Sequence, residues 1–166
     1  MAAGQTIGSG WSNFHVTVGH WRKADTYPSV VAYDAAGTLW HYPNTTGKTF
    51  GSRAKIGTDW SRLYLTMAGY NRGSTQDILA ERSDGSLVLY RSTGFGNFQS
   101  GTRPVIGSGW NSINSITKLE GYQGSGTYGL TGRFTDGRLA YYPILNGIWG
   151  TRTLEGGGWG PYNIFR

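Results

Sequence analysis

Residues able to do acid–base or metal chemistry are few in this chain, and they follow no catalytic spacing. Three histidines, His15, His20 and His41, are not spaced as metal ligands. A glycosidase needs two carboxylates across one cleft. The spacing selects no pair among the available acids, which include Asp25, Asp34, Asp77, Glu81 and Glu120. With neither a nucleophile elbow nor a zincin motif present, we predict that the protein is not an enzyme.

One glycine-rich segment has the form of a dinucleotide-binding motif. Residues 124–129, Gly-Ser-Gly-Thr-Tyr-Gly, satisfy the pattern G-x-G-x-x-G. That pattern binds a pyrophosphate only where a helix follows it, and no helical period follows here. We therefore expect no nucleotide, and no other cofactor.

The composition favours many short strands. Among 166 residues there are 28 Gly, 7 Trp, 11 Tyr and 6 Phe, and only 14% are charged. Aromatic residues fill pleated surfaces and glycine supplies tight turns. There is no cysteine, which excludes disulfides and thiolate metal sites. No apolar run is long enough to span a membrane, so we expect no membrane insertion.

The net charge and the start of the chain bear on partners and location. Fifteen Lys and Arg against nine Asp and Glu give a formal charge of +6, which favours anionic surfaces in general. The basic residues look scattered, with Arg22-Lys23 as the longest cluster, so we do not expect nucleic acid as the partner. Residues 1–6 lack the basic and apolar regions of a signal peptide. The chain is thus either cytosolic or a secreted protein without its signal.

An internal repeat of about fifty residues predicts the secondary-structure elements of the chain. An Ile-Gly-x-x-Trp phrase occurs at 7–11, 56–60 and 106–110, and a degraded copy, Glu-Gly-Gly-Gly-Trp, lies at 155–159. An x-Gly turn follows at 36–37, 84–85 and 136–137, each before an apolar-aromatic run. A glycine turn leading to an aromatic residue comes third, at 47–50, 96–98 and 147–149. Three markers in constant order indicate three tandem units.

Each unit is predicted to be a four-stranded β-propeller blade. The first strand follows the Trp, as in 13–18, and the next two form a hairpin whose Asp84-Gly85 supplies the positive φ of a tight turn. The fourth follows the glycine-aromatic turn, as in 50–55. We place the blades at about 7–55, 56–105 and 106–154, within one all-β domain, with an extra strand at 155–166. Propellers close with four to eight blades, and this chain encodes three. We therefore expect copies of the chain to associate and close the ring, and we favour a homodimer.

The repeat resembles a known group. The Ile-Gly-Ser-Gly-Trp phrase, Asp-Ile-Leu-Ala at 77–80 and Ser-Asp-Gly-Ser-Leu at 83–87 look like the FG-GAP or VCBS repeats of integrin-like bacterial β-propellers. The phrase is also similar to that of the tachylectin-2 propeller lectins. The resemblance covers nearly the whole chain. It implies a secreted, extracellular module that binds sugars, adheres to surfaces or binds proteins.

The chain departs from the FG-GAP pattern at the loops that commonly bind calcium in that family. The matching segments are 19–25, 69–75 and 121–126, and together they contain one carboxylate, Asp25. Calcium normally takes more than one carboxylate ligand. We predict that no metal is bound and that folding needs no calcium.

The same loops hold the candidate ligand-binding residues. A glycan could stack on their aromatic rings and bond to their polar groups, whereas the repeated Trp11, Trp60, Trp110 and Trp159 are predicted to pack between blades. The candidates are His20, Trp21, Arg22, Tyr70, Asn71, Arg72, Tyr122 and Gln123. Ordinary solvated loops remain the alternative.

The predicted function is carbohydrate binding by a lectin-like propeller with several shallow sites. The expected partners are a glycan or cell-surface polysaccharide and a second copy of the chain. The alternatives are a protein–protein interaction scaffold and an engineered or excised propeller fragment with no ligand of its own.

Overall fold

The computed structural model describes residues 6–71 and 73–162, and within them twelve strands form three four-stranded antiparallel sheets. We label the three sheets blades 1 to 3 in chain order, after the repeat units of the sequence. Blade 1 contains β1 (His15–Gly19), β2 (Ser29–Tyr33), β3 (Leu39–Tyr42) and β4 (Ala54–Gly57). Blade 2 contains β5 (Tyr64–Ala68), β6 (Asp77–Glu81), β7 (Leu87–Tyr90) and β8 (Val105–Gly107). Blade 3 contains β9 (Ile113–Lys118), β10 (Tyr128–Phe134), β11 (Leu139–Ile144) and β12 (Thr153–Gly156). Each sheet is a meander in chain order, which confirms the all-β class.

Helical structure in the described residues is limited to two 3₁₀ turns, Trp11–Asn13 and Trp110–Ser112, each leading into the first strand of a blade. No helix in this part of the chain is long and apolar enough to cross a membrane.

The hairpin between the second and third strands is built by an aspartate and a glycine in every blade. The Oδ1 atoms of Asp84 and Asp136 accept the backbone N–H two residues further on, at 2.8 and 3.0 Å. Gly85 and Gly137 adopt φ values of 78° and 82°, a region that L side chains rarely enter. The prediction that these aspartates form turns is confirmed.

The blades lie side by side, and apolar residues fill both junctions. Trp60 and Trp110 are buried there, as the repeat predicted. The same prediction is wrong for Trp11, which is half-buried, and for Trp159, which is exposed, because no described neighbouring blade covers either ring. The junction of blades 1 and 2 contains Trp21, Val31, Tyr33, Leu39, Trp60, Met67, Ile78 and Ala80. The junction of blades 2 and 3 contains Ala68, Tyr70, Leu79, Leu87, Leu89, Trp110, Ile113, Leu130, Phe134, Ala140 and Ile144.

Three predicted strand limits differ from the structure. The first strand of blade 1 spans His15–Gly19 rather than 13–18, because Trp11–Asn13 form a 3₁₀ turn. The fourth strand of blade 1 begins at Ala54 rather than at Phe50, because its ladder with β3 extends only from the His41–Ala54 pair to the Leu39–Gly57 pair. The strand then continues through Gly57, so the Ile-Gly-x-x-Trp phrases at 56–60 and 106–110 each span two blades. Consequently Glu155 and Gly156 end blade 3. No extra strand follows up to residue 162, and residues 163–166 lie outside the described part.

Candidate functional site

The connections between strands gather at two opposite ends of the array. In an antiparallel meander, the connections after the first and third strands leave at the same end. We call this end the loop end; its connections are 20–28, 43–53, 69–76, 91–104, 119–127 and 145–152. The turn end has the hairpins and the Trp phrases, at 34–38, 58–63, 82–86, 108–112, 135–138 and 157–162.

Backbone bonds between blades hold the loop end in register. The Gln76 N–H donates to the His20 carbonyl at 2.7 Å, and the Lys23 N–H donates to the Gly94 carbonyl at 2.9 Å. The buried Ser92 hydroxyl donates to the Trp21 carbonyl at 3.1 Å. The first loop of blade 1 is thus fastened to two connections of blade 2.

Two of the predicted ligand-binding rings lie inside the junctions. Trp21 is 0% exposed and packs on Phe98 at 5.0 Å between ring centroids, and Tyr70 is 5% exposed and packs on Trp149 at 5.5 Å. A ring enclosed on both faces by protein offers no face to a sugar. These two residues therefore position the loops between blades.

The other predicted site residues are not brought into one cluster. Tyr122 is exposed at the free side of blade 3 and donates its hydroxyl to Glu155. Asn71 donates to the Asp77 carboxylate at 3.0 Å in its own blade. The remaining four are placed as follows: His20 is half-buried at the first junction, Arg22 is partly exposed there, Gln123 is exposed in blade 3, and Arg72 lies outside the described residues.

The single carboxylate of the three loops is already engaged by protein groups. Asp25 is buried, its Oδ1 accepts from Arg22 Nη2 at 2.6 Å, and its Oδ2 lies 3.1 Å from His41 Nε2. Burial lowers the pKa of His41 to about 4, against the opposing effect of Asp25, and so keeps the imidazole neutral. No group of three or more potential metal ligands occurs among the described residues.

A ring that sequence analysis missed is the most exposed large apolar side chain at the loop end. Phe95 is 77% exposed at the tip of the connection between β7 and β8. Lys23 Nζ lies 5.6 Å from its ring centroid, and Arg22 forms a β-bridge with it. The signal was present in the sequence: Gly94 and Gly96 flank the ring and both take positive φ, which is typical of a turn tip.

The fold collects the basic residues that looked scattered in the sequence. Among described residues, the loop-end connections hold seven basic and two acidic residues, which gives a net charge of +5. The turn-end connections hold three basic and four acidic residues, which gives a net charge of −1. The basic residues of the loop end are Arg22, Lys23, Lys48, Arg53, Arg91, Arg103 and Arg152. One of its two acids, Asp25, is buried against Arg22. The positive field of the molecule therefore originates at the loop end.

Two clefts compete with the loop end as a ligand site. One lies among the first strands of the blades, beside Thr66, Ile113 and Ser115, and its volume of about 60 Å³ is that of a few water molecules. The other, of about 380 Å³, opens at the turn end beside Asp34 and Asn13. The first is too small for a sugar ring, and the second contributes a carboxylate but no cation.

Comparison of the sequence with models of protein families and with curated proteins finds no significant match. The resemblance to propeller repeats therefore rests on the repeated phrases alone, and membership of either propeller group stays a prediction.

Proposed function

We propose that the protein recognises carbohydrate through its loop end and prefers acidic polysaccharides. The partition of charge carries this proposal, because a face with a net +5 attracts a polyanion that the turn end, at −1, does not. Phe95 adds an exposed ring on which the apolar face of a sugar can stack. Lys23 and Arg22 beside it can donate to carboxylates and hydroxyls.

The proposal includes the setting in which such binding is effective. A shallow surface site buries few ligand atoms and is weak alone. Several blades presented together on a closed ring of associated chains raise avidity by about 10² to 10⁴ on a multivalent polymer. Closure into a β-propeller by association of copies and a secreted location both belong to this proposal, and the resemblance to secreted propeller modules supports them.

The test compares charge removed from the two ends. One variant combines Lys23→Gln with Lys48→Gln at the loop end, and its control combines Arg62→Gln with Arg82→Gln at the turn end, so that net charge is equal. Exposed charge contacts contribute about 0.5–1 kcal/mol each, so the loop-end variant should bind immobilised alginate about 5- to 30-fold more weakly. The control should bind as the unmodified protein does, and Phe95→Ala should bind more weakly.

Other results would count against the proposal. Equal weakening by both double variants would mean that net charge alone attracts the polymer. Absence of binding to alginate and to neutral polysaccharides would favour the protein-interaction scaffold. Displacement of alginate by single-stranded DNA at much lower charge concentration would indicate a nucleic-acid site.

A further inference from the structure

Blades 2 and 3 each present a set of rings that receives an aromatic residue from the preceding blade. We call this set the ring socket. In blade 2 it consists of Trp60, Tyr90 and Phe98, and in blade 3 of Trp110, Tyr142 and Trp149. Trp21 of blade 1 packs on the first socket, and Tyr70 of blade 2 packs on the second. The same contact is thus built twice within one chain.

Blade 1 has a ring socket that no other described blade enters. Trp11 lies 4.8 Å from Tyr42 and 6.2 Å from Phe50, and the matching Trp60–Tyr90 distance in blade 2 is 4.7 Å. The sheet beside this socket is open as well. Val18 on β1 is 50% exposed, whereas Met67, at the same place on β5, is 0% exposed under blade 1. Blade 1 therefore presents the surface that blades 2 and 3 bury.

Blade 3 carries the complementary feature. Tyr122 lies in the loop that corresponds to those of Trp21 and Tyr70, and it is 47% exposed where they are 0% and 5%. Its ring contacts Tyr141 of its own blade at 4.7 Å, on the side of the sheet that faces away from blade 2. An aromatic residue is thus placed to enter a socket, and the described part of the chain has no following blade to supply one.

We propose that a second copy of this chain docks head to tail, with Tyr122 of one copy entering the Trp11, Tyr42 and Phe50 socket of the next. The inference rests on the proposed closure by association and specifies its contact. We identify a second copy as the molecule that fills the blade 1 socket, because the two internal junctions already show the same contact between neighbouring blades. A heterologous contact of this kind closes into a ring when its rotation allows.

The turn end identifies the group that the second copy must displace. At the two internal junctions the backbone N–H groups of Trp60 and Trp110 donate to the Gly37 and Gly85 carbonyls, each at 3.0 Å. At the free side of blade 3, the backbone N–H of Trp159 donates to the Gly137 carbonyl at 2.9 Å. In the docked pair, Trp11 of the second copy takes this carbonyl and Trp159 leaves it.

The experiment measures sedimentation in the absence of glycan. Val18→Glu places a charge on the blade 1 face, and Tyr122→Ser removes the entering ring; each variant alone should lose the self-association of the unmodified protein. The Val18→Glu variant keeps Tyr122, and the Tyr122→Ser variant keeps the blade 1 face. An equimolar mixture of the two should therefore form a one-to-one complex. Val105→Glu, the same change at an exposed position of the outer strand β8, should assemble normally.

A monomeric unmodified protein at micromolar concentration would overturn the inference. So would a monomeric mixture of the two variants, or a Tyr122→Ser variant that still dimerises, which would indicate that two blade 1 faces pack on each other. Failure of this contact and failure of the proposed function are distinguishable. A monomeric Val18→Glu protein should still bind a short alginate oligosaccharide, because Val18 is outside the loop end.

Discussion

The first glycine of the Ile-Gly-x-x-Trp phrase makes room for the indole three residues later. A Cβ atom at Gly57 would lie 2.6 Å from Trp60 Nε1, and one at Gly107 would lie 2.4 Å from Trp110 Nε1. These are closer than non-bonded atoms approach. The phrase therefore recurs because each indole folds back on the end of the preceding strand.

Gly57→Ala should destabilise the protein, because the buried Trp60 indole has to move. Forcing a methyl group into a packed site costs about 1–3 kcal/mol. Gly157→Ala is the control, since its Cβ meets no atom within 4 Å and its φ is not positive. Urea denaturation should give a lower free energy of unfolding for Gly57→Ala and a nearly unchanged value for Gly157→Ala. Equal effects would contradict this explanation of the repeat.

His41 is expected to make the fold sensitive to acid. Its folded-state pKa is lowered to about 4 from an ordinary 6.5, so between these values the unfolded chain binds a proton that the folded chain does not. The stability contributed by the neutral imidazole is therefore complete above pH 6.5 and is lost as pH falls toward 4. Arg22 and Asp25 are the charged groups that face it.

The prediction is tested by His41→Leu, which introduces the residue found at the matching position of blade 2, Leu89. The free energy of unfolding of the variant should fall less steeply with acid between pH 6.5 and 4. Burial raises the pKa of Asp77 and gives a slope of opposite sign, but both proteins share it. Parallel pH profiles would show that His41 does not titrate as inferred.

Among individual residues, local chemistry was easier to predict than packing. Asp84 and Asp136 were identified as turn residues because an aspartate before a glycine bonds its own turn. The sequence predicts that Trp21 and Tyr70 are surface rings, because both lie in loops. Their burial depends on the neighbouring blade, and the sequence of one loop contains no information about the surface that covers it.

At the scale of the elements, the first loops of blades 1 and 2 are each stabilised by the blade that follows in the chain. Ser92 in blade 2 accepts the Gly94 N–H at 2.9 Å and donates to the Trp21 carbonyl of blade 1. Its own N–H donates to Asp77 Oδ1 at 3.0 Å. A single buried hydroxyl thus joins the turn that carries Phe95 to the loop that carries Lys23.

Ser92→Ala should loosen this junction, because it leaves two buried backbone groups without their partner. Such a loss costs about 1–3 kcal/mol. Hydrogen exchange of the Lys23 amide, which donates to Gly94, should accelerate more than that of amides in β6. Thr93→Ala is the control, since its hydroxyl makes two comparable bonds in an exposed part of the same turn. If both variants accelerate hydrogen exchange of the Lys23 amide equally, the Ser92 hydroxyl is not the group that stabilises this junction.

At the scale of the whole molecule, the three-blade order was predictable and the distribution of charge was not. The repeat markers predicted three four-stranded sheets in sequence, and the structure has them. The basic residues lie far apart along the chain, and only the alternation of strand directions brings them to one end. A linear count of charge therefore missed the feature that best supports a ligand.

Because the first loop of blade 1 is held by blade 2, that loop can fold only after blade 2 has been synthesised. While the chain emerges from the ribosome, the loop that contains Lys23 has to wait for Gly94 before its backbone is paired. About 70 residues separate them, so at roughly 5–20 residues per second the wait is ~4–14 s. During that interval Trp21 is without its covering rings. The nascent first blade is thus an aggregation-prone species until the second one is complete.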